Sequence, residues 1–217
     1  MDEINNTVEL CGTAAGAPVF SHGGRGENFY TFPLEVLRLS GTGDTVNVVV
    51  RERLLDQMPV DSAGRIALRG ELRSFNNRSG RGSRLVITVF AKQIRFTDEP
   101  ERNDVYLAGT VCKPTVLRRT PMGRMICDIM LAVNRKYGRS DYLPCIAWGS
   151  LAQEASALQV GDCIRLRGRI QSRTYIKNEK DGPVEKTAFE VSIVTLERNS
   201  FFRKIEKNAL QIPLTGI

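Results

Sequence analysis

The sequence predicts an all-β chain with short helices, built as two tandem five-stranded barrels, and three observations predict it. Apolar and polar residues alternate with period two through most of the chain. One such pattern recurs at a nearly constant offset. The only clear helical run is short. A length of 217 residues allows one large or two small domains, at about 150 residues per domain.

The repeat comes first because it sets the domain count. NTVELCGT (6–13) returns as NDVYLAGT (103–110), an offset of 97 residues. At the same offset FPLEVLR (32–38) lies over IMLAVNR (129–135), pairing Arg38 with Arg135, and Asp44 falls on Asp141. One inserted residue later RIALRGELRS (65–74) overlies CIRLRGRIQS (163–172), pairing Gly70 with Gly168. Colinear matches through three separated segments mark a duplicated domain, with residues 1–99 as the first copy, 100–198 as the second and 199–217 as a tail. The charged segment DEPERN (98–103) serves as the short linker.

Within each copy the elements read in order. TVELCG, CIRLRGRIQS and RLVITVFAKQIRF alternate as half-buried strands. SHGGRGEN (21–28), NNRSGRGS (76–83) and KNEKDGP (177–183) read as hairpin loops from their Gly-rich or charged composition. SLAQEASAL (150–158) is a short helix closed by Gly161, and ERLLDQM stands at that place in the first copy. The order strand, strand, strand, short helix, strand, strand fits a small five-stranded antiparallel barrel of the oligonucleotide-binding (OB) type. A β-sandwich is the structural rival.

Composition narrows the function classes. Hydrophobic residues at 41% and charged residues at 25% are those of a folded soluble protein. No run approaches the ~20 apolar residues of a membrane span. The opening MDEINNTVELCG lacks the basic and apolar regions of a secretory signal, so the expectation is a cytoplasmic protein with reduced thiols. Five cysteines without C-x-x-C spacing and a single histidine argue against a zinc site. His22, within SHGGRG, reads as an exposed loop residue without a role. Phosphate-loop, H-E-x-x-H and G-x-S-x-G motifs are absent from the sequence, so no enzyme, catalytic residue or cofactor is expected.

Charge is more informative. The formal net charge is +7, which suits a polyanionic partner. Residues 1–99 carry 12 basic and 12 acidic side chains, so the excess lies wholly in residues 100–217. There Tyr137 is flanked by Arg135, Lys136 and Arg139, and Tyr175 by Arg173 and Lys177. Along 163–171 alternation sets Arg165, Arg167 and Arg169 on one face, opposite Ile164, Leu166 and Ile170. Rings interleaved with cations are what sequence-neutral binding of single strands requires, because every base has a π face. Read from the residues alone, Trp148 and Tyr142 also fit a barrel core, and the arginine stripe also fits a solvated strand face.

The second copy resembles the bacterial single-stranded DNA-binding protein family. The likeness rests on the opening V-x-L-x-G-T-V-x-x-P, the block LAVNRKYG, the run DYLPCIAWGSLAQEA and the strand DCIRLRGRIQSRTY. The first copy is similar more weakly, in its opening strand, PLEVLR and RGELRS. The resemblance implies a tandem two-OB member in which Tyr137, Tyr142, Trp148 and Tyr175 stack on bases. Arg135, Lys136, Arg139, Arg165, Arg167, Arg169, Arg173 and Lys177 are then expected to meet phosphates.

It also implies sequence-independent binding and protection of single-stranded DNA in replication, recombination or repair, near the nucleoid, by a homodimer presenting four OB folds. An adaptor whose OB domains mainly bind proteins, as in a primosome or recombination complex, and an RNA-binding OB protein are the alternatives. In the first copy Thr45, Arg51 and Asn77 stand where Tyr142, Trp148 and Tyr175 stand in the second, and Glu71 replaces Arg169. That copy is therefore expected to be degenerate, with weak or auxiliary DNA contact from Phe75, Arg78, Arg81, Arg84, Arg25, Phe29 or Tyr30. The segment 199–217 lacks the acidic tip through which the family recruits replication and repair enzymes.

Overall fold

The computed structural model describes residues 4–24, 26–57, 64–77, 84–136, 138–179 and 182–198, without the side chains of residues 57 and 177–179. Period-two alternation becomes twelve strands among the described residues. The first six are β1 (Asn6–Ala14), β2 (Val19–Gly24), β3 (Glu27–Leu37), β4 (Gly43–Arg51), β5 (Arg65–Asn76) and β6 (Leu85–Phe96). The second six are β7 (Arg102–Val111), β8 (Val116–Arg119), β9 (Met125–Asn134), β10 (Ser140–Trp148), β11 (Cys163–Glu179) and β12 (Gly182–Arg198). A 3₁₀ turn (Glu52–Gln57) follows β4, and a helix α1 (Ser150–Ser156) follows β10 at the corresponding place.

Each half closes on itself in the order β1-β3-β4-β6-β5-β1, repeated as β7-β9-β10-β12-β11-β7. That closure is the OB barrel, and it excludes the β-sandwich. Two details differ from the expectation. The barrels are not wholly antiparallel, since β4 pairs with β6 and β10 with β12 in parallel. Each half also carries an extra strand, β2 or β8, as an outer hairpin arm. The segment 21–28 is therefore mostly strand, because β2 runs to Gly24 and β3 begins at Glu27, leaving a tight turn with Gly26 at φ 77°. Likewise β11 runs to Glu179 and β12 begins at Gly182, so most of 177–183 is strand. Of the loop expected over 76–83, Asn76 ends β5 and residues 78–83 lie outside the described residues.

Inner faces fill with branched aliphatics: Val8, Leu10, Leu34, Val46, Val48 and Leu72 in the first barrel, Leu107, Leu131, Val133, Leu143, Leu166 and Ile170 in the second. Each such side chain contributes about 1.5–3 kcal/mol by leaving water. Cys127 and Cys145 share this interior as free thiols; Cys11 is buried outside it, its thiol donating to the Glu99 carbonyl at 3.4 Å, and Cys112 and Cys163 are half-buried. Burial pushes the Cys145 thiol far up from its ordinary value. The Arg-Gly pair of the repeat has a steric cause. A β-bulge falls at Arg69/Gly70 against β6 and again at Arg167/Gly168 against β12. A Cβ on Gly70 would meet the Phe90 carbonyl oxygen at 2.2 Å, and one on Gly168 the Ser192 oxygen at 2.2 Å.

The barrels join edge to edge. β1 pairs antiparallel with β7 with Val8 opposite Val105, Asn6 opposite Leu107 and Leu10 opposite Asn103. Because Val8 and Val105 are repeat equivalents, the junction is an internal two-fold. Reciprocal clamps flank it. Asp44, fully buried, accepts the Arg38 Nε and Nη2 at 2.6 Å each and the backbone N–H and hydroxyl of Ser172 on the other barrel at 2.7 and 2.8 Å. Arg38 also donates to the Ser172 carbonyl at 2.9 Å. In mirror image Asp141, fully buried, takes the Arg135 fork, the Ser74 N–H at 2.6 Å and the Arg73 Nη1 at 3.0 Å. Arg135 then reaches the Ser74 carbonyl at 3.2 Å.

Asp141→Ala strands two guanidinium groups and a backbone donor at this junction, so urea unfolding should show a loss of about 3 kcal/mol. Removing the exposed Arg95 from its pair with Glu99 should cost under about 1 kcal/mol. Burial pushes the Asp44 carboxyl up, but the Arg38 fork and the two Ser172 donors outweigh it and hold the group below the usual carboxylate range. Its contribution is therefore complete above the unfolded value of about 3.9 and is lost as pH falls through the lower folded value. Stability measured between about pH 6 and pH 3 should drop at the acid end, and Asp44→Asn should flatten that drop.

Candidate nucleic-acid interface

Alternation decides what faces outward on the second barrel. On β10, Asp141, Leu143, Cys145 and Ala147 are buried, so Tyr142 and Trp148 point to the outer face. They are six residues apart, roughly 20 Å along the strand. Tyr142 is 51% exposed, which removes it from the core. Trp148 is half-buried, and its indole Nε1–H donates to Ser192 Oγ on β12 at 3.1 Å. Ser192 stands opposite both Ile146 of β10 and Arg169 of β11, which carries the same face across three strands.

Along β11 that face continues through Arg169, Gln171, Arg173 and Tyr175. The Arg173 guanidinium lies 5.5 Å from the Tyr175 ring centre, and its Nε donates to Glu190 at 3.3 Å. Glu190, nearly buried, also accepts from Gln171 at 2.9 Å. Asp128 on β9 sits in the fork of Arg118, with contacts of 2.5 and 3.0 Å. Glu190 and Asp128 are thus each partnered by arginine, while Arg169 and the 53%-exposed side chain of Arg173 still reach solvent. Half-exposed rings bordered by guanidinium groups present π faces and fixed positive charge together.

Part of the chain is similar in sequence to known proteins. A model of the Single-strand binding protein family matches residues 102–199. Those residues, somewhat under half of the chain, are similar to that family. The single-stranded DNA-binding protein of Halalkalibacterium halodurans is 34% identical over 84 residues, covering 36% of this chain and 50% of that protein. Single-stranded DNA-binding protein A of Bacillus subtilis is 34% identical over 80 residues, covering 34% and 46%. The chain thus spans about half the length of the curated relatives it matches. The wild-type single-stranded DNA binding protein of Thermus aquaticus, at 24% identity, superposes with a TM-score of 0.72 over 90% of this chain and 93% of its own, so the likeness in fold runs through both barrels.

On the second barrel the sequence-derived residues separate by position. Tyr142, Trp148, Tyr175, Arg169 and Arg173 share the outer face. Arg135 is turned into the barrel junction, where Asp141 and Ser74 engage it. Lys136 and Arg139 are exposed in the turn after β9, and the Arg135 N–H donates to the Arg139 carbonyl at 2.6 Å. Tyr137 lies outside the described residues, as does the Lys177 side chain. The arginine stripe bends round the barrel at the Gly168 bulge. Arg165 pairs with Ala108 and Arg167 with Tyr106 on β7, and Arg167 rests 5.4 Å from the Tyr106 ring centre.

Three residues of this surface were not anticipated. Tyr106 was legible from the alternation that placed Arg167, since Val105 and Leu107 face inward. Ser192 and Glu190 carried no sequence signal, because their role depends on pairing between β10, β11 and β12. Trp148 is the single tryptophan. Ser192→Ala removes its polar anchor at a cost of about 1 kcal/mol and should shift the tryptophan emission; an unchanged spectrum would contradict the Nε1 bond.

Proposed function

We propose that the second barrel binds single-stranded DNA without regard to sequence and that the chain protects such strands during replication, recombination or repair. The observation that carries the reading is the shared outer face of β10, β11 and β12. There Tyr142 and Tyr175 offer rings to solvent, Ser192 pins Trp148 edge-on, and Arg169 and Arg173 border them. Bases stack on the rings while guanidinium groups meet phosphates. We also propose that Lys136, Arg139, Arg165 and Arg167 meet phosphates at its rims, and that Tyr137 and Lys177, whose roles rest on the sequence resemblance alone, take part in binding. Neither a catalytic step nor a cofactor enters this reading. Among the described residues no helix is long and apolar enough to cross a membrane.

The positive excess of residues 100–217 supports giving the second barrel the larger share. We further propose a homodimer that presents four OB folds in the cytoplasm, near the nucleoid, and light scattering on the full chain tests its mass.

Titration with oligo-dT, read by Trp148 quenching and in parallel by anisotropy of labelled DNA, tests the site. Affinity should fall with salt at a log-log slope near −0.7 per neutralised phosphate. Trp148→Ala should weaken binding by about 1–3 kcal/mol, read by anisotropy. Unaltered affinity in that variant would remove the site. A matched RNA oligomer that competes equally would turn the reading toward RNA.

A further inference from the structure

Two strands of the proposed binding face, β10 and β11, are each left open along part of one edge by their own barrel. Among the described residues β12 meets β10 only at Cys145 and Ile146, so the ladder on that side stops short of Tyr142. On β11 the pairing with β7 runs from Cys163 to Gly168 and ends at the bulge. Past that point β11 keeps β12 on one side and, among the described residues, pairs with no strand on the other. Gln171, Arg173 and Tyr175 all lie on this stretch. Backbone N–H and C=O groups along such edges need other partners.

Side chains supply them. Asn103 of β7 takes the β11 edge at Ile170, accepting its N–H at 2.9 Å and donating to its carbonyl at 2.8 Å. At Ser172, the next position on that edge, the partners come from the first barrel: Asp44 accepts the N–H and Arg38 donates to the carbonyl. On β10 the Tyr142 N–H donates to Ser74 Oγ of β5 at 2.7 Å. One buried residue of the first barrel thus holds β10 at Tyr142, and another holds β11 between Gln171 and Arg173. Because Gln171 and Arg173 both donate to Glu190, the hold at Ser172 also sets the spacing of these two donors about one carboxylate.

We propose that Ser74 and Asp44 are positioning residues for the second barrel's site, through which the first barrel sets the affinity of the second; the proposal rests on the reading of the second barrel as a binder of single-stranded DNA. Both residues are buried, Asp44 fully, so neither meets the strand itself. Their effect is preorganisation. A ring and a guanidinium group on backbone that is already fixed lose less freedom when a base and a phosphate engage them. The two holds act on different parts of the ligand. Ser74 bears on Tyr142 and hence on a base, whereas Asp44 bears on Arg173 and hence on a phosphate.

The experiment uses the full chain and labelled oligo-dT of about 8 nucleotides, within the span of one OB fold, with affinity read by anisotropy over a range of salt. Ser74→Ala removes the hydroxyl and keeps the backbone groups that bond Asp141 and Arg135. It should weaken binding about fivefold with the salt slope unchanged, and Ser74→Thr, which retains a hydroxyl, should bind as wild type does. Asp44→Asn should weaken binding by a similar factor and reduce the log-log salt slope by about 0.7, the share of one phosphate. Asn6→Ala is the structural control: it breaks both bonds between Asn6 and Leu72 inside the first barrel, and it should lower the urea midpoint while leaving affinity unchanged. Wild-type affinity in Ser74→Ala, a Ser74→Thr chain as weak as Ser74→Ala, or an equal loss in Asn6→Ala overturns the proposal and leaves the proposed function standing. An unchanged slope in Asp44→Asn overturns the role of Asp44; if that variant does not fold, the Ser74 pair decides alone. If the wild-type chain does not bind the oligomer, the proposed function falls, and this inference with it.

Discussion

The pair of buried aspartates at the barrel junction governs the rest of the structure. Asp44 and Asp141 have no exposed surface, and an isolated carboxylate so placed is costly. Each is offset by an arginine of its own barrel and by the backbone N–H of a serine on the other barrel. Neither charge is satisfied unless both barrels are present in this orientation. The clamps therefore fix an angle that the β1–β7 ladder, a flexible two-stranded joint by itself, does not fix. They also set where the long β11–β12 hairpin lies, because Ser172, the residue held by Asp44, directly precedes Arg173 on the proposed binding face.

Much of the fold was legible because its causes are local. Alternation marked the strands, and the repeated Arg-Gly pair marked a bulge that permits no Cβ. The recurrence of Arg38 with Asp44 and of Arg135 with Asp141 at one offset already signalled a shared structural task. What could not be read was the direction of that task. Arg135 lies two residues from Tyr137, and in a linear chain such a cation reads as a phosphate ligand; the β9–β10 pairing turns it back to Asp141 of its own barrel, and the approach of β5 from the other barrel adds the Ser74 carbonyl.

The surface was legible to a different degree on each barrel. For the second, buried neighbours Leu143 and Cys145 fixed the outward direction of Tyr142 and Trp148. For the first, Phe90 is hidden inside the apolar run LVITVFAKQIRF, where it is indistinguishable from core until the parallel pairing with β4 sets its face. His22 looked like a loop residue because the glycines around it suggested a turn, whereas a strand with one slipped residue accommodates them.

The internal two-fold has a consequence for how this molecule behaves on dilution. When a two-fold relates separate chains, the interface dissociates below some concentration and every substitution appears twice. Here Val8 and Val105 belong to one polypeptide, so the junction persists however dilute the protein becomes. Each side is also free to change alone. That freedom is visible beside the axis, where Glu9 faces Arg69 in one barrel and Tyr106 faces Arg167 in the other. One covalent link thus lets a symmetric scaffold carry two unlike surfaces.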